Sequence, residues 1–236
     1  MKRLRDGARK LGLKLTADQL EAFQIYYQEL VAWNRRVNLT AITDYEEVQI
    51  KHFLDSLSCL LVLPAGETLS MVDIGTGAGF PGLPLKIARP GGRLTLLESV
   101  GKKVAFLREL VERLELEGVA VVNGRAEEVG HDPAHRAQYD VALARAVAEL
   151  PVLVEYALPL CRVGGLFVAQ KGARIEEEVE GALDALEILG GRLKGIEALC
   201  LPTMDEPRHL VIVEKVAPTP ERYPRRPGIP VRRPLR

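Results

Sequence analysis

Val72 to Gly82 reads VDIGTGAGFPG, an acidic residue two places ahead of a Gly-x-Gly-x-Gly run, at the end of the apolar stretch Leu69 to Ile74. Glycines in series let a backbone turn tightly and come close to a ligand, and an apolar run feeding such a loop reads as a strand entering a ligand turn. The same residues satisfy a rival pattern. Gly77 to Gly82 is a G-x-G-x-x-G with Glu98 about twenty residues on, the spacing of a dinucleotide site. Pro81 and Pro84 bracket the third glycine, where a dinucleotide fold needs an uninterrupted helix aimed at a pyrophosphate. Asp73 would repel a pyrophosphate, whereas a carboxylate there suits the cationic amino group and sulfonium of S-adenosylmethionine. The loop therefore favours a methyl donor, with Gly75, Gly77, Gly79 and Phe80 as contacts.

Further candidates follow the later apolar runs. Glu98 closes Leu94 to Leu97, where a carboxylate can take both ribose hydroxyls of an adenosyl group, with Ser99 beside it; a helix amino-terminal acid is the alternative. Asn123-Gly124-Arg125-Ala126-Glu127 offers backbone amides and an acid, Ala126 and Glu127, to an adenine edge. Arg145 sits after the fourth run, facing cofactor or substrate, and Lys171 and His52 are further candidates for the reacting end. Methylating carbon 5 of a pyrimidine needs a cysteine nucleophile, and none lies near a ligand loop. The Asn/Asp-Pro-Pro-aromatic run that serves exocyclic adenine amines is missing too, since Ala144-Arg145-Ala146-Val147 stands in its place. Nitrogen 7 of guanine has a free lone pair and no proton to lose, so positioning and electrostatics alone can serve it. His131 and His135 have helical spacing, but Pro133 lies between them and no metal site is expected.

At 236 residues with 47 % hydrophobic residues the chain can hold one substantial core and a small appendage. No apolar run approaches the ~18 residues of a membrane span, and Met1 to Arg5 lacks the apolar segment of a signal peptide, so a cytoplasmic protein is expected. Cys59, Cys161 and Cys200 are far apart and read as buried thiols. Net charge is zero, but residues 1–14 carry six basic side chains against Asp6, and residues 217–236 carry six arginines against Glu221. Two basic ends on an acidic body suggest a polyanionic partner, with Arg225 and Arg226 of the tail and Arg35 and Arg36 as RNA-facing candidates.

These residues require elements to hold them. Thr16 to Gln19 and Thr43 to Glu46 read as capping boxes opening amphipathic helices. From Leu69 strands and helices alternate, with strands at 69–75, 93–98, 119–122, 139–144 and 166–170 and helices to Ala88, at 102–116, 148–161 and 175–189. That alternation implies a parallel sheet with helices on both faces and ligands at the carboxyl ends of the strands. The last two strands, near 195–201 and 208–216, are joined by a few residues including Pro202, Asp205 and Pro207, too few for a parallel crossover, so they form an antiparallel hairpin. The α/β fold expected is a class I, Rossmann-like methyltransferase sheet of seven mostly parallel strands. Its parts are a helical extension over 1–63, the methyltransferase domain over 64–216 and a basic arm over 217–236 whose six prolines preclude a regular helix.

Along nearly the whole chain the sequence resembles the bacterial family of small-subunit ribosomal RNA guanine-N(7) methyltransferases, long called glucose-inhibited division protein B. The stretches that carry this are Asn38 to Ile42, His52 to Leu57, Asp73 to Pro84, Leu97 to Ser99 with Lys102 and Lys103, Gly124 to Glu127, Ala144 to Val147, Lys171-Gly172 and Tyr223 to Arg226. The glycine loop alone would indicate any class I methyltransferase; its Phe-Pro-Gly-Leu-Pro extension and the His-Phe-Leu-Asp-Ser block make the match specific. The resemblance implies methyl transfer from S-adenosylmethionine to guanosine 527 in the 530 loop of 16S ribosomal RNA, free or within the 30S subunit, by a chain expected to be a monomer. It also implies cofactor contacts at Gly75, Gly77, Phe80, Glu98, Ala126, Glu127 and Arg145. A methyltransferase for another RNA or a small molecule, an NAD-type oxidoreductase and a non-catalytic binder are the competing readings.

Overall fold

The strands Ser70–Ile74 (β1), Arg93–Glu98 (β2), Val119–Asn123 (β3), Tyr139–Arg145 (β4), Cys161–Lys171 (β5), Gly191–Leu199 (β6) and Arg208–Lys215 (β7) form one sheet in the order β3-β2-β1-β4-β5-β7-β6. The computed structural model describes residues 1–65, 68–172, 175–202 and 207–235; Asp205 of the hairpin connection and the terminal Arg236 lie outside them. β1 to β5 run parallel, and β7 lies antiparallel between β5 and β6. The chain leaves β1 toward one edge through β2 and β3 and returns to its other side with β4, so the carboxyl ends of β1 and β4 form the crevice where such sheets take ligands.

The central strands are near-continuous apolar runs because both faces are covered. One face packs against the amino-terminal helices and the helices Gly82–Ala88 and Gly101–Arg113, through Tyr26, Phe53, Leu83, Phe106 and Leu143. The other packs against Leu150–Ala157, Leu183–Leu189 and the carboxyl-terminal arm, through Val72, Leu153, Phe167 and Tyr223. The edge strand β6 alternates and exposes Arg192, Lys194 and Glu197, charges that discourage pairing with another sheet.

Several boundaries differ from the sequence reading, each for a local reason. β5 begins at Cys161, before the Gly164-Gly165 break, because the four residues between Cys161 and Leu166 are absorbed as a register irregularity opposite Asp140, with Arg162 Nε 2.6 Å from Asp140 Oδ1. The preceding helix correspondingly ends at Ala157. The expected helix over 175–189 is two, Glu176–Glu180 and Leu183–Leu189, with Gly181 at the interruption. β6 starts four residues earlier than expected, which leaves Cys200 beyond its end and exposed, whereas Cys59 and Cys161 are buried.

Thr16 forms the expected capping box with Gln19, whose amide also donates to the carbonyls of Ile87 and Ala88 and so ties the helix Ala17–Asn34 to the sheet layer. The second cap is Asp44 rather than Thr43, because the Asp44 carboxylate accepts from the amides of both Glu46 and Glu47. The helix it opens becomes a π-helix over Val48–Leu54 before Asp55–Leu57 resumes α geometry. Such widened turns concentrate at functional sites; this one turns His52 inward, and the α-helical turn that follows it buries Asp55. The basic first residues form a helix, Lys2–Lys10, that buries Leu4, Gly7 and Ala8 and lays Gly7 against Leu54 of the π-helix.

The arm is ordered against the body. Tyr223, Pro224 and Pro230 are buried, and Arg136 donates to the carbonyls of Thr219 and Tyr223. Arg225, expected among the RNA-facing arginines, is held by Glu155 instead: its Nε and Nη2 and its backbone amide all donate to a carboxylate that is 0 % exposed. Removing one partner of such a pair strands a buried charge. Arg225→Ala should therefore destabilise the protein by about 3 kcal/mol in urea denaturation, and Arg225→Ala with Glu155→Gln should recover much of the loss.

Candidate active site

The loop after β1 is organised from beneath by Asp73. Its Oδ2 accepts from Thr76 Oγ1 at 2.6 Å and from the Gly82 amide at 2.7 Å, so one buried atom ties both ends of the glycine run. Gly82 must lack a side chain, since a Cβ there would lie 2.9 Å from that oxygen. Tyr26 reaches across from the amino-terminal layer to donate to the Ala78 carbonyl. Asp73 therefore shapes the loop and does not face a ligand, which corrects the expectation that its charge meets the sulfonium. Burial pushes its carboxyl up to about 7, against the lowering by its bonds to Thr76 and Gly82.

Two cavities open at the carboxyl ends of the strands. The first, about 160 Å³, is lined by Gly75, Ser99, Ala126, Glu127, Val147 and Tyr156, among others. Glu98 lies beneath it with Oε2 accepting from the Gly77 amide at 3.0 Å and Oε1 from the Val100 amide at 2.8 Å, each oxygen keeping a second lone pair. Glu127 Oε1 accepts from the Tyr156 hydroxyl at 3.2 Å and from the Gly228 amide of the arm at 3.1 Å. Its Oε2 has no protein donor among the described residues. Gly75 adopts φ +63°, and a Cβ there would lie 2.8 Å from Val147 Cγ2. A bare, left-handed backbone, two carboxylates and an apolar wall fit an adenosyl group and an amino acid, so these residues suit S-adenosylmethionine.

The second cavity, about 350 Å³, is lined by Ile42, Lys51, His52, Arg145, Ala146, Gln170, Lys171, Gly172, Glu178 and Arg208. All three candidates for the reacting end, Arg145, Lys171 and His52, meet here. Arg145 donates to Asp55 Oδ2 at 3.0 Å and lies 4.8 Å over the Phe80 ring. Lys171 Nζ is 2.5 Å from Glu178 Oε2 and donates to the Ala148 carbonyl. Arg145 Nη2 lies 3.4 Å from His52 Nδ1, making that nitrogen the acceptor, so Nε2–H donates to Thr40 Oγ1 at 2.8 Å. Burial, and then the Arg145 charge, lower the His52 pKa to about 3, so the ring is neutral at ordinary pH.

Arg145 and Ala146 line the second cavity and Val147 the first, so three consecutive residues form the wall between them. The Phe80 ring faces away from the first cavity, stacked between Tyr26 and His52 at 5.3 and 4.6 Å. Gly79 packs on Leu83 and Tyr26. Arg35, Arg36 and Arg226 are exposed. A larger cavity, about 440 Å³, lies at the amino ends of the strands beside Arg93, His135 and Tyr139, the end of a parallel sheet opposite to where loops build sites.

The sequence reading assigned no role to Asp55, Gln170, Arg208 or Tyr156. The signal that could have found Asp55 is a carboxylate between the apolar Phe53-Leu54 and Leu57, a residue type seldom buried without a charged partner. Arg208 and Gln170 carried no signal, because only sheet pairing brings β5 beside β4 and β7 beside β5.

The strand order and the two cavities define a class I S-adenosylmethionine-dependent methyltransferase. A putative methyltransferase from Bacillus halodurans superposes on 69 % of this chain and 99 % of its own with a TM-score of 0.56 at 14 % identity. M. jannaschii TYW2 in complex with AdoMet does so on 64 % and 71 % with a TM-score of 0.51 at 16 % identity. At these identities the likeness is one of fold. Residues 19–211 match the model of the family described as GidB, rRNA small subunit methyltransferase G. Proteins named ribosomal RNA small subunit methyltransferase G are 52 % identical in Pelotomaculum thermopropionicum, over 98 % of this chain and 97 % of that one, and 57 % identical in Roseiflexus castenholzii, over 95 % of each. The chain belongs to the rRNA small subunit methyltransferase G family.

Two pH predictions follow from the buried groups. Asp73 has a folded-state pKa raised from 3.8 to about 7, so its contribution to stability is fully present below its unfolded value and lost as pH rises through about 7. Between pH 5 and 8 the wild type should lose thermal stability relative to Asp73→Asn, and parallel melting curves would mean that Asp73 is ionised throughout. Because His52 is neutral, turnover should show no histidine inflection between about pH 5 and 8; an inflection near pH 6.5 that disappears in His52→Asn would contradict its burial.

Proposed function

We propose that the chain transfers the methyl group of S-adenosylmethionine to nitrogen 7 of guanosine 527 in 16S ribosomal RNA. Full-length identity to proteins of that name supports the substrate. The single observation that carries the chemistry is the shared wall at Arg145 to Val147, which sets the first cavity directly against a second, basic one whose described carboxylate, Glu178, is paired with Lys171. When bound, the cofactor supplies an electrophilic methyl group on a sulfonium, with Gly75, Gly77, Glu98, Ser99, Ala126 and Glu127 as its contacts. Gly79 and Phe80 shape the loop from behind, and Arg145 faces the acceptor.

The guanine N7 lone pair forms the new bond to carbon as the carbon–sulfur bond breaks, leaving S-adenosylhomocysteine and a cationic 7-methylguanine. No proton moves. The protein's part is to align the base and to fix its surrounding charges before reaction. Arg145, Arg208 and Lys171 bind the acceptor's carbonyl or phosphate oxygens, and the exposed Arg35, Arg36 and Arg226 hold flanking RNA. No described helix is long and apolar enough to cross a membrane; we place the reaction in the cytoplasm, with a monomer acting on 16S RNA or the 30S subunit.

The test is transfer of labelled methyl to 16S RNA and to 30S subunits lacking the modification, mapped by strand cleavage at 7-methylguanosine. A single stop at position 527 is expected. No label in either substrate, with cofactor binding intact, would overturn the reading in favour of another RNA or a small-molecule acceptor.

A further inference from the structure

Four buried side-chain atoms lack a hydrogen-bond partner among the described residues; Gln170 Oε1 and Arg208 Nε belong to residues lining the second cavity, and Asp55 Oδ1 to the carboxylate that pairs with its arginines. Asp55 is 1 % exposed and stands between two guanidiniums delivered by different strands. Its Oδ2 is bonded to Arg145 of β4, while its Oδ1 lies 3.3 Å from Arg208 Nε of β7, close enough to pair charges but too misaligned to make a hydrogen bond. Gln170 of β5 donates to the Asp55 backbone carbonyl at 2.7 Å and the Ser58 hydroxyl does so at 2.6 Å, so the carboxylate is fixed from behind.

N7 methylation makes a neutral guanine into a cation, and cations near it oppose that change. Of the basic groups at this cavity, Lys171 is paired with Glu178 and Lys51 with Glu47. Among the described residues, Arg145 and Arg208 have one carboxylate partner between them, Asp55. We propose that Asp55 is a positioning residue of methyl transfer: it aims Arg145 and Arg208 at the RNA and compensates enough of their charge for a cationic base to form beside them. This rests on the second cavity receiving the acceptor guanosine.

Asp55→Asn keeps the shape and releases both arginines. Single-turnover methylation of bound RNA should fall roughly a hundredfold, while RNA affinity is unchanged or tighter, its salt dependence steepens by up to about two units, and cofactor affinity holds. A purely structural role would weaken RNA and cofactor binding together and leave the bound-state rate intact, and that result overturns the proposal. Asp55→Asn with Arg208→Gln restores the wild-type net charge, so its salt slope should return to the wild-type value and its rate should lie within about tenfold of wild type. That variant also serves if the single substitution does not fold, and a double variant with a rate a hundredfold or more below wild type overturns the proposal. Arg208→Gln alone separates the two readings. RNA affinity and salt slope untouched by it would remove the acceptor assignment, whereas weakened RNA binding together with an unimpaired Asp55→Asn rate would remove only the role of Asp55.

Discussion

A single buried carboxylate oxygen, Asp73 Oδ2, sets the geometry on which both cavities depend. By accepting from Thr76 and Gly82 it closes the loop on itself at the end of β1. The loop then presents Gly75 and Gly77 upward and turns Phe80 sideways into the amino-terminal helices. Burying a carboxylate is costly unless it is hydrogen-bonded, and the elevated pKa of Asp73 is the mark of that cost. What offsets it is a loop fixed before any ligand arrives, the condition under which a site works by orientation.

From that loop the aromatic chain Phe53, Tyr26, Phe80 and His52 runs outward, with ring centroids 4.6 to 5.3 Å apart between successive rings. It fastens the amino-terminal helices to the cofactor loop and ends at Arg145. On the far side of the sheet the arm does the corresponding work, since Arg225 locks to Glu155 and Gly228 holds Glu127. The two chain ends therefore support the two cavities, one each.

Much of this was readable from residue order because it is local. The seven strands, their alternation and the closing hairpin follow from apolar runs and short connections, and the cofactor candidates Gly75, Ser99, Ala126 and Glu127 line one cavity as strand-end residues should. Readings failed where a residue's partner is remote. Asp73 looks ligand-facing until Gly82 folds back on it, and Arg225 looks like a free RNA contact until Glu155, seventy positions earlier, is set beneath it. Asp55 and Arg208 escaped for the same reason, being separated in sequence and brought together only where the amino-terminal helices pack over the start of β7. The π-helix that carries His52 leaves no periodic trace distinct from an ordinary helix.

Ala146 occupies the left-handed region at φ +55° without being a glycine, a conformation that persists only where its surroundings hold it. Its neighbours face opposite ways into the two cavities. The partition between them is thus one residue thick and already under tension, and its length cannot be altered without displacing the walls of both cavities together. The rest of the second cavity's described lining comes from outside the partition, from Ile42, the π-helix, the end of β5, Glu178 and the start of β7.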